Sequence, residues 1–368
     1  MASEVFFASA EISRTRKDLL AQTRKLFDEA GGKDLFAKGD LTAIKLSFSE
    51  VGNTAYLRPP LVREVVRKVK ARGAKPFLTD ANTLYAGGRA NAVDHLETAI
   101  LNGFSYAVVE APLIIADGLR GKSYVSVPID GKRLKAARIG AEVAHADALI
   151  SLAHAHGHLA TGMAATFKNI GMGLGCRAGK QEMHSQKDPP KVDPEKCEGD
   201  AVCVRYCPVN AIRMSKGKAV IDGRKCIRCG ECTVTCPRRA ISIRWGDEPG
   251  ALQERIVEYT AAALKGKKDK SLFFAYLLDV TPGCLCGVSD PPIIQDIGVL
   301  CSRDPVAIEQ ATFDLVRQGQ GLASCDWGKG GPGEDKFRAL YPEHDSELTM
   351  RYAEEMGLGT RKYTLTEV

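Results

Sequence analysis

The chain of 368 residues has 44% hydrophobic residues and a formal net charge of +6. This length allows one large domain or a few smaller ones, and the composition suits an ordinary protein core. No apolar run reaches the about 18 residues that a membrane helix needs, and the first residues lack the pattern of a secretory signal. We therefore expect a cytoplasmic protein without a membrane span.

Strands and helices alternate through the first half of the chain. Apolar runs predict strands over 4–10, 41–48, 75–79, 106–115 and 148–152, and helical spacing predicts helices over 15–30, 58–71 and 91–102. Such alternation is typical of an α/β fold, a mostly parallel sheet with flanking helices. Sites in these sheets lie beyond the carboxyl ends of the strands, so we expect one near the polar stretches 47–54, 80–85 and 154–158.

Residues 154–185 concentrate groups that suit a binding site. Four of the seven histidines lie there, together with Lys168, Arg177 and Lys180 among several glycines. Glycine lets a backbone approach a ligand closely, and lysine and arginine suit an anionic group. The stretch predicts a binding or catalytic loop; the alternative is a solvated, glycine-rich loop with capping histidines. Lys45, at the end of a strand, is a further candidate for a cation that faces a ligand.

Residues 191–245 contain seven of the chain's twelve cysteines. Their second half reads Cys226-Ile-Arg-Cys229-Gly-Glu-Cys232-Thr-Val-Thr-Cys236-Pro237, which is the complete C-x2-C-x2-C-x3-C-P pattern of bacterial iron–sulfur ligands. Their first half has cysteines in the same register, at positions 197, 203 and 207. The repeat resembles a two-cluster bacterial ferredoxin. The alternatives are a zinc ribbon, which usually pairs two distant C-x2-C units, and a disulfide cluster.

In this pattern three close cysteines bind one cluster, and the fourth, before proline, reaches the other cluster. The first predicted ligand set is Cys207, Cys226, Cys229 and Cys232. The second is Cys197, Cys203 and Cys236, with Asp200 at the position where a cysteine would complete the run. Because a carboxylate holds a soft iron–sulfide corner less firmly than a thiolate does, we expect Asp200 or solvent at one iron, or a three-iron cluster.

The excess of positive charge lies on the same residues. Residues 191–245 hold twelve lysines and arginines but only six aspartates and glutamates, so the rest of the chain is balanced. Positive charge can offset anionic clusters and raise their potentials, and it can attract an acidic redox protein. We do not expect nucleic-acid binding, because the basic residues are not interleaved with aromatic ones.

These features divide the chain into an N-terminal α/β part (1–190), a ferredoxin-like module of α+β type (191–245) and a C-terminal α/β part (246–368). The module is either an insertion in one domain or a hinge between two. Beyond it, the pattern predicts helices over 252–264, 304–316 and 346–355 and strands over 271–280 and 293–300. Cys284 and Cys286 could bind a soft metal or form a redox pair; the alternative is two ordinary buried thiols.

Several strings outside the module resemble one known family. They include Asn53-Thr-Ala-Tyr-Leu-Arg58-Pro59, Leu78-Thr-Asp80-Ala-Asn82-Thr-Leu-Tyr85, Lys168-Asn169-Ile-Gly-Met-Gly173 and Asp304-Pro-Val-Ala-Ile308. They are similar to an uncharacterised family of iron–sulfur-centre proteins, domain of unknown function 362, whose members often carry an inserted two-cluster ferredoxin module. The resemblance implies this architecture but no particular reaction. Asp200 departs from the pattern and leaves the composition of one cluster open.

These observations lead to one main hypothesis, in which an iron–sulfur oxidoreductase passes electrons through two clusters to a small-molecule or cofactor site in the α/β part. Its catalytic residues would be His154, His158, Lys168 and His184. Its cofactor-binding residues would be Arg177, Lys180, Cys284 and Cys286. Alternatively, the chain is a ferredoxin-like carrier or redox sensor without a catalytic site, or an enzyme with a third metal at the two cysteines and nearby histidines. A dinucleotide is not expected, because no G-x-G-x-x-G fingerprint follows a strand.

Overall fold

The computed structural model describes residues 2–11, 18–185, 188–245, 248–323, 328 and 330–368. These residues form sixteen strands: β1 (Ser3–Ser9), β2 (Leu41–Lys45), β3 (Lys75–Asp80), β4 (Leu113–Ile115), β5 (Tyr124–Pro128), β6 (Ala136–Gly140), β7 (Ala148–His154), β8 (His156–His158), β9 (Gly162–Ala164), β10 (Lys191–Val192), β11 (Ile212–Ser215), β12 (Lys218–Ile221), β13 (Ile241–Ser242), β14 (Ser271–Leu277), β15 (Gly298–Ser302) and β16 (Tyr363–Glu367).

The same residues form twelve α-helices: α1 (Leu19–Glu29), α2 (Pro59–Ala71), α3 (Ala92–Leu101), α4 (Tyr106–Val109), α5 (Ala141–Ala144), α6 (Arg177–His184), α7 (Val202–Tyr206), α8 (Glu231–Thr235), α9 (Ala251–Leu264), α10 (Pro305–Gln318), α11 (Lys336–Leu340) and α12 (Leu348–Glu355). A π-helical turn (Lys168–Met172) and a 3-10 turn (Lys268–Lys270) complete them. No helix in the described ranges is both long and apolar enough to cross a bilayer.

Eight strands form one central sheet in the order β16-β1-β15-β14-β7-β2-β3-β4. Neighbouring strands run parallel except at β15, which is antiparallel to both β1 and β14. The predicted fold class, a mostly parallel α/β sheet with flanking helices, is therefore confirmed. Because β14 lies directly beside β7, strands from both sides of the cysteine module belong to the same sheet.

Helices cover both faces of this sheet and bury two apolar cores. Helices α1 and α2 lie on one face, where Leu26 and Val66 are fully buried in the same core as Ile44 of β2. Helices α9 and α10 lie on the other face, where Val257 shares a core with Leu149 of β7. Helix α2 presents apolar residues at three- and four-residue spacing, which is the pattern of a helix with one buried stripe, whereas α9 is buried on nearly all sides.

The cysteine module is closed at its base by two short strands. Strand β10 pairs with β13, which places Lys191 opposite Ser242. Between them lie the β11–β12 hairpin and the two short helices α7 and α8. The two ends of the module therefore lie side by side, next to the body of the protein.

Three sequence predictions differ from the structure. The strand predicted over 106–115 is wrong in its first part, which forms helix α4; the chain then turns at Glu110, whose φ is 60°, and only Leu113–Ile115 is a strand. The strand predicted over 293–300 begins only at Gly298. The stretch predicted as a loop after residue 154 instead forms the β8–β9 hairpin, the π-helical turn and α6. Thr15 and Gly246, where a helix and a module boundary were predicted to begin, lie outside the described residues.

Candidate functional site

A cavity of about 450 Å³ opens at the carboxyl ends of β2, β3 and β7. Of the eight residues predicted for a site outside the clusters, seven line it: His154, His158, Lys168, Lys180, His184, Cys284 and Cys286. The polar stretches that follow these strands also contribute to the lining, which is where ligands bind in parallel α/β sheets. The structure therefore brings the histidine stretch and the two cysteines together. Arg177 does not line this cavity.

Two histidines at the end of β7 and the start of β8 present neutral rings to the cavity. His154 donates a hydrogen bond from Nε2 to Leu278 O over 2.7 Å, and its Nδ1 has no partner among the described residues. His156 donates from Nδ1 to Gly157 O, also over 2.7 Å, which leaves its Nε2 unprotonated. Burial lowers the pKa of both rings below the usual value. Both rings can therefore accept a proton or a hydrogen bond from a ligand.

Lys168 supplies a cation beside these rings. It begins the π-helical turn, a feature that is frequent at functional sites. Within the part of the chain that the structure describes, its ammonium group makes no hydrogen bond or ion pair. Burial is the main cause that lowers the pKa values of His156 and His158, and the charge of Lys168 adds to it. The same charge favours the thiolate forms of Cys284 and Cys286. The group is available to an anionic ligand.

Lys45 is a second, deeply buried cation in the cavity wall. Its Nζ lies 3.1 Å from Asp80 Oδ1 and donates to Leu46 O and Asn169 Oδ1, both over 2.9 Å. Burial lowers the pKa of Lys45 to about 8, although the charge of Asp80 opposes this shift. An amine of this kind can give up a proton close to neutral pH, which an ordinary lysine cannot.

Arg89 is a cavity residue that the sequence reasoning missed. Its guanidinium lies 3.2 Å from Glu50 and 3.3 Å from Asp80, and it donates to the Tyr85 hydroxyl over 2.7 Å. Because the whole group is buried, this fixed network sets the shape of one cavity wall. The available signal was its position just after the polar stretch 80–85.

Cys284 and Cys286 lie on the loop that follows β14. The backbone N–H of Glu50 donates to Leu285 O over 3.2 Å, and Asn53 Nδ2 donates to Gly287 O over 2.7 Å. These bonds hold the loop on both sides of Cys286 against the segment after β2. Cys286 is exposed, whereas Cys284 is partly buried.

The two thiols interact with each other and differ in acidity. The neighbouring Cys284 thiol lowers the pKa of the Cys286 thiol, and the charges of Lys168 and Arg89 add to this effect. The same contact, together with burial, raises the pKa of Cys284. Cys286 is therefore the thiol that more readily becomes a nucleophilic thiolate.

Lys180 and His184 extend the cavity towards the module. Lys180 donates to Gly175 O over 2.6 Å and to Gly173 O over 3.3 Å. The His184 ring meets the edge of the Trp245 ring at 4.7 Å and 77°. Trp245 belongs to the predicted module and also lines the cavity, so the module contributes directly to the cavity wall.

Arg177 joins the body to the module instead of facing the cavity. Its Nη1 lies 3.0 Å from Glu231, the first residue of α8, and it also donates to backbone oxygens of the body. Arg120 and Lys122 lie 3.3 and 3.4 Å from the same carboxylate. Both partners of the first pair are almost fully buried, so loss of either would leave an uncompensated charge at the joint.

The module cysteines form two groups around α7 and α8. Burial raises the pKa of Cys203, and the neighbouring charges that add to this are those of Cys236, Asp200 and Cys197. Burial also raises the pKa of Cys232, whose neighbours are Cys229, Cys226, Cys203 and Cys207. Cys203 thus lies near cysteines of both predicted ligand sets, and the division into two sets stays a prediction.

Backbone N–H groups point at the sulfur atoms of these cysteines. Ala211 donates to Cys207 Sγ over 3.2 Å, and Ala240 donates to Cys236 Sγ over 3.4 Å, at equivalent places in the two halves. Such bonds suit thiolate ligands and tune the potential of an iron–sulfur cluster. The donor set and the N–H groups around it therefore fit iron–sulfur clusters.

Asp200 is exposed and lies two residues before Val202, the first residue of the helix that carries Cys203. Its Oδ1 accepts a hydrogen bond from Val202 N over 3.0 Å. An aspartate that accepts from the backbone two residues on stabilises a local turn, so it has a structural role whether or not it binds iron. No group of three or more His, Cys, Asp or Glu side chains in the described ranges, the module included, is arranged to hold a single metal ion.

Comparison with known proteins identifies the family of this chain. The family model described as "Domain of unknown function (DUF362)" matches residues 42–314, which is most of the chain. The chain belongs to the DUF362 family. The family predicted from the sequence is thus confirmed, although its description assigns no reaction to this DUF362 protein.

Relatives of the DUF362 protein share a stretch about as long as its cysteine module. It is 41% identical over 58 residues to a subunit of the ion-translocating oxidoreductase complex of Methanosarcina acetivorans, covering 16% of the chain and 22% of the relative. It is 45% identical over 49 residues to the protein named 7Fe ferredoxin of Hydrogenibacillus schlegelii, covering 13% of the chain and 63% of the relative. The chain thus spans less than two thirds of either relative. The DUF362 protein carries an iron–sulfur, ferredoxin-like module with a role in electron transfer.

A solved structure has a distant likeness. The lactate racemase apoprotein of Thermoanaerobacterium thermosaccharolyticum is 11% identical, with a TM-score of 0.37, and the match covers 75% of this chain and 51% of that one. A likeness at this level gives no information about the chemistry of the site in the DUF362 protein.

Proposed function

We propose that this DUF362 protein is an oxidoreductase that receives electrons at its cysteine module and uses them on a small molecule in the cavity. The contact at Leu84 carries the proposal. Leu84 lines the cavity, and its carbonyl accepts a hydrogen bond over 3.0 Å from Thr233, the residue after the predicted cluster ligand Cys232. A Cβ placed on Gly230 of the module would lie 2.5 Å from Leu84 Cδ1, so module and cavity wall are packed without a gap.

The module would hold two clusters on the two ligand sets, and bound clusters would supply single electrons. Seven thiolates and one carboxylate suit a four-iron cluster together with a three-iron cluster, or with a second four-iron cluster that has Asp200 at one corner. The 7Fe name of the Hydrogenibacillus relative favours the three-iron form. The positive charge of the module favours an acidic redox protein as the electron donor or acceptor.

The cavity residues would hold the substrate and move protons. Lys168 would pair with an anionic group, since its ammonium is unpartnered within the described residues. The neutral rings of His154 and His156 would accept or return protons at the reacting group. Lys45, with its pKa of about 8, would supply a further proton from the cavity wall. Apolar walls that include Leu84 and Trp245 would limit the access of water.

Reoxidation kinetics test this proposal against a simple carrier. The cluster-loaded protein is reduced with dithionite without oxygen, and its visible absorbance is followed after addition of a panel of small anionic acceptors. An enzyme shows a rate that saturates with one acceptor, and Lys168→Met raises the half-saturating concentration about tenfold, whereas Lys135→Met at the exposed surface does not. A carrier without a catalytic site shows unsaturated rates that are equal in all three proteins.

Metal analysis separates the third-metal alternative. The proposal expects iron alone, in an amount that Cys284→Ala does not change. A stoichiometric second metal that disappears in Cys284→Ala would favour an enzyme with a metal at the two cysteines.

A further inference from the structure

We propose that Cys284 and Cys286 form a dithiol–disulfide couple that reduces a disulfide substrate bound in the cavity. Both side chains line the same cavity, and they are separated by one residue. The loop that carries them is fixed on both sides of Cys286 by hydrogen bonds to the segment after β2. The two thiols are therefore kept at one wall of the cavity, where a substrate can meet both.

The surroundings of the two thiols assign them different roles. Cys286 is exposed, so a substrate can reach it, whereas Cys284 is partly buried beside it. The unpaired ammonium of Lys168, as judged within the described residues, faces the same space and favours a thiolate there. Cys286 is therefore the attacking thiol and Cys284 the resolving thiol.

The reaction balances in two exchange steps. The Cys286 thiolate attacks one sulfur of the substrate disulfide, which forms a mixed disulfide and releases the first substrate thiol. Cys284 then attacks Cys286 Sγ, which forms the Cys284–Cys286 bond and releases the second substrate thiol. The two protons lost by the cysteines end on the two released thiols.

Regeneration is the only part that rests on the proposed function. Breaking the Cys284–Cys286 bond consumes two electrons and two protons and gives back two thiols. A one-electron reductant, such as a reduced acidic ferredoxin, would supply the electrons singly through the module. Lys45 is a cavity group that can deliver a proton, because its pKa is about 8.

An equilibrium measurement tests the couple without any need for electron delivery. The cluster-loaded protein is equilibrated without oxygen in buffers with constant glutathione and rising glutathione disulfide. Samples are quenched with acid and alkylated, and the peptide that contains both cysteines is analysed by mass spectrometry. A tenfold rise in glutathione disulfide should raise its disulfide-to-dithiol ratio tenfold, while the buried thiols of Cys176 and Cys301 in the same samples stay reduced. A peptide that stays dithiol throughout, or that carries glutathione on each cysteine independently, would overturn the proposal.

Single variants test the two roles. With glutathione disulfide, Cys284→Ser should accumulate a mixed disulfide at Cys286 at least tenfold more than Cys286→Ser accumulates one at Cys284. Equal trapping in both variants would overturn the assignment. The equilibrium measurement on the wild type requires neither a variant nor turnover. Its result is therefore independent of the reoxidation test, and either proposal can be refuted while the other holds.

Discussion

At the scale of single residues, one carboxylate organises the polar floor of the cavity. Asp80 lies 3.1 Å from Lys45, 3.3 Å from Arg89 and 3.8 Å from His95 Nε2. All four side chains are buried. Because the two cations already satisfy the carboxylate, burial decides the state of the histidine and lowers the pKa of His95 to about 3.

His95 should make the protein less stable in mild acid. Since its pKa is about 3 when folded and about 6.5 when unfolded, only the unfolded chain takes up a proton between these values, and stability falls as the pH falls. From pH 7 to pH 5 this costs about 2 kcal/mol. The thermal midpoint should therefore fall less between pH 7 and pH 5 in the His95→Leu variant than in the wild type.

The exposed His145 supplies the control for this measurement. His145→Gln should follow the wild type. If all three proteins lose the same stability between pH 7 and pH 5, the buried neutral state of His95 is wrong.

We expect the side chain at position 200 to decide the iron content of the second predicted ligand set. Asp200→Cys should raise the iron from about seven to about eight atoms per chain and remove the EPR signal of a three-iron cluster, because a fourth thiolate can hold the missing corner. Asp200→Ala is the control: it loses the hydrogen bond to Val202 N but should keep about seven iron atoms. An iron content that is the same in all three proteins would contradict this role.

At the scale of elements, the joint between the module and the body is closely packed and held by ion pairs. Helix α8 begins after Gly230, whose φ is 68°, and the glycine has Leu84 and Arg177 against its open side. Glu231, the next residue, holds three cations of the body. Any side chain at position 230 would push the module away from the cavity wall.

Gly230→Ala should therefore loosen the module. Gly217→Ala is the matched control, because Gly217 also has a positive φ, of 75°, but has no atom within 4 Å of an added Cβ. Alanine in the left-handed region destabilises both variants by about 1–2 kcal/mol, and only Gly230→Ala adds the clash. It should lose cluster absorbance on heating at a clearly lower temperature than Gly217→Ala. Equal midpoints would show that the joint can yield.

Elements with a strong repeating pattern could be predicted from the sequence. The helix over Pro59–Ala71 follows from its prolines and apolar spacing, and the cysteine runs follow from ligand chemistry. The hairpins β5–β6 and β8–β9 could not, because their strands are short and their pairing depends on distant segments. The strand predicted from Tyr106 fails because a four-residue apolar run suits a short turn of helix as well as a strand.

At the scale of the whole molecule, the sheet brings together what the sequence separates. Parallel strands β7 and β14 place the loop of Cys284 beside the histidines, although more than a hundred residues lie between them. The rule for carboxyl ends of strands predicts the edge of the sheet at which the site lies, but not which loops meet there. Arg177 could not be placed correctly from the sequence, since its position at the joint depends on its ion pair with Glu231 of the module.

The central claim is that electrons leave the module through the cavity. Stopped-flow reoxidation of dithionite-reduced protein tests it, with the saturating small acceptor and with an acidic protein acceptor, in the wild type and in Ala160→Trp, which fills the cavity at one of its lining residues. We predict that the variant slows at least tenfold with the small acceptor and is unchanged with the protein acceptor. Equal rates for wild type and variant with both acceptors would contradict the account and leave only an electron carrier.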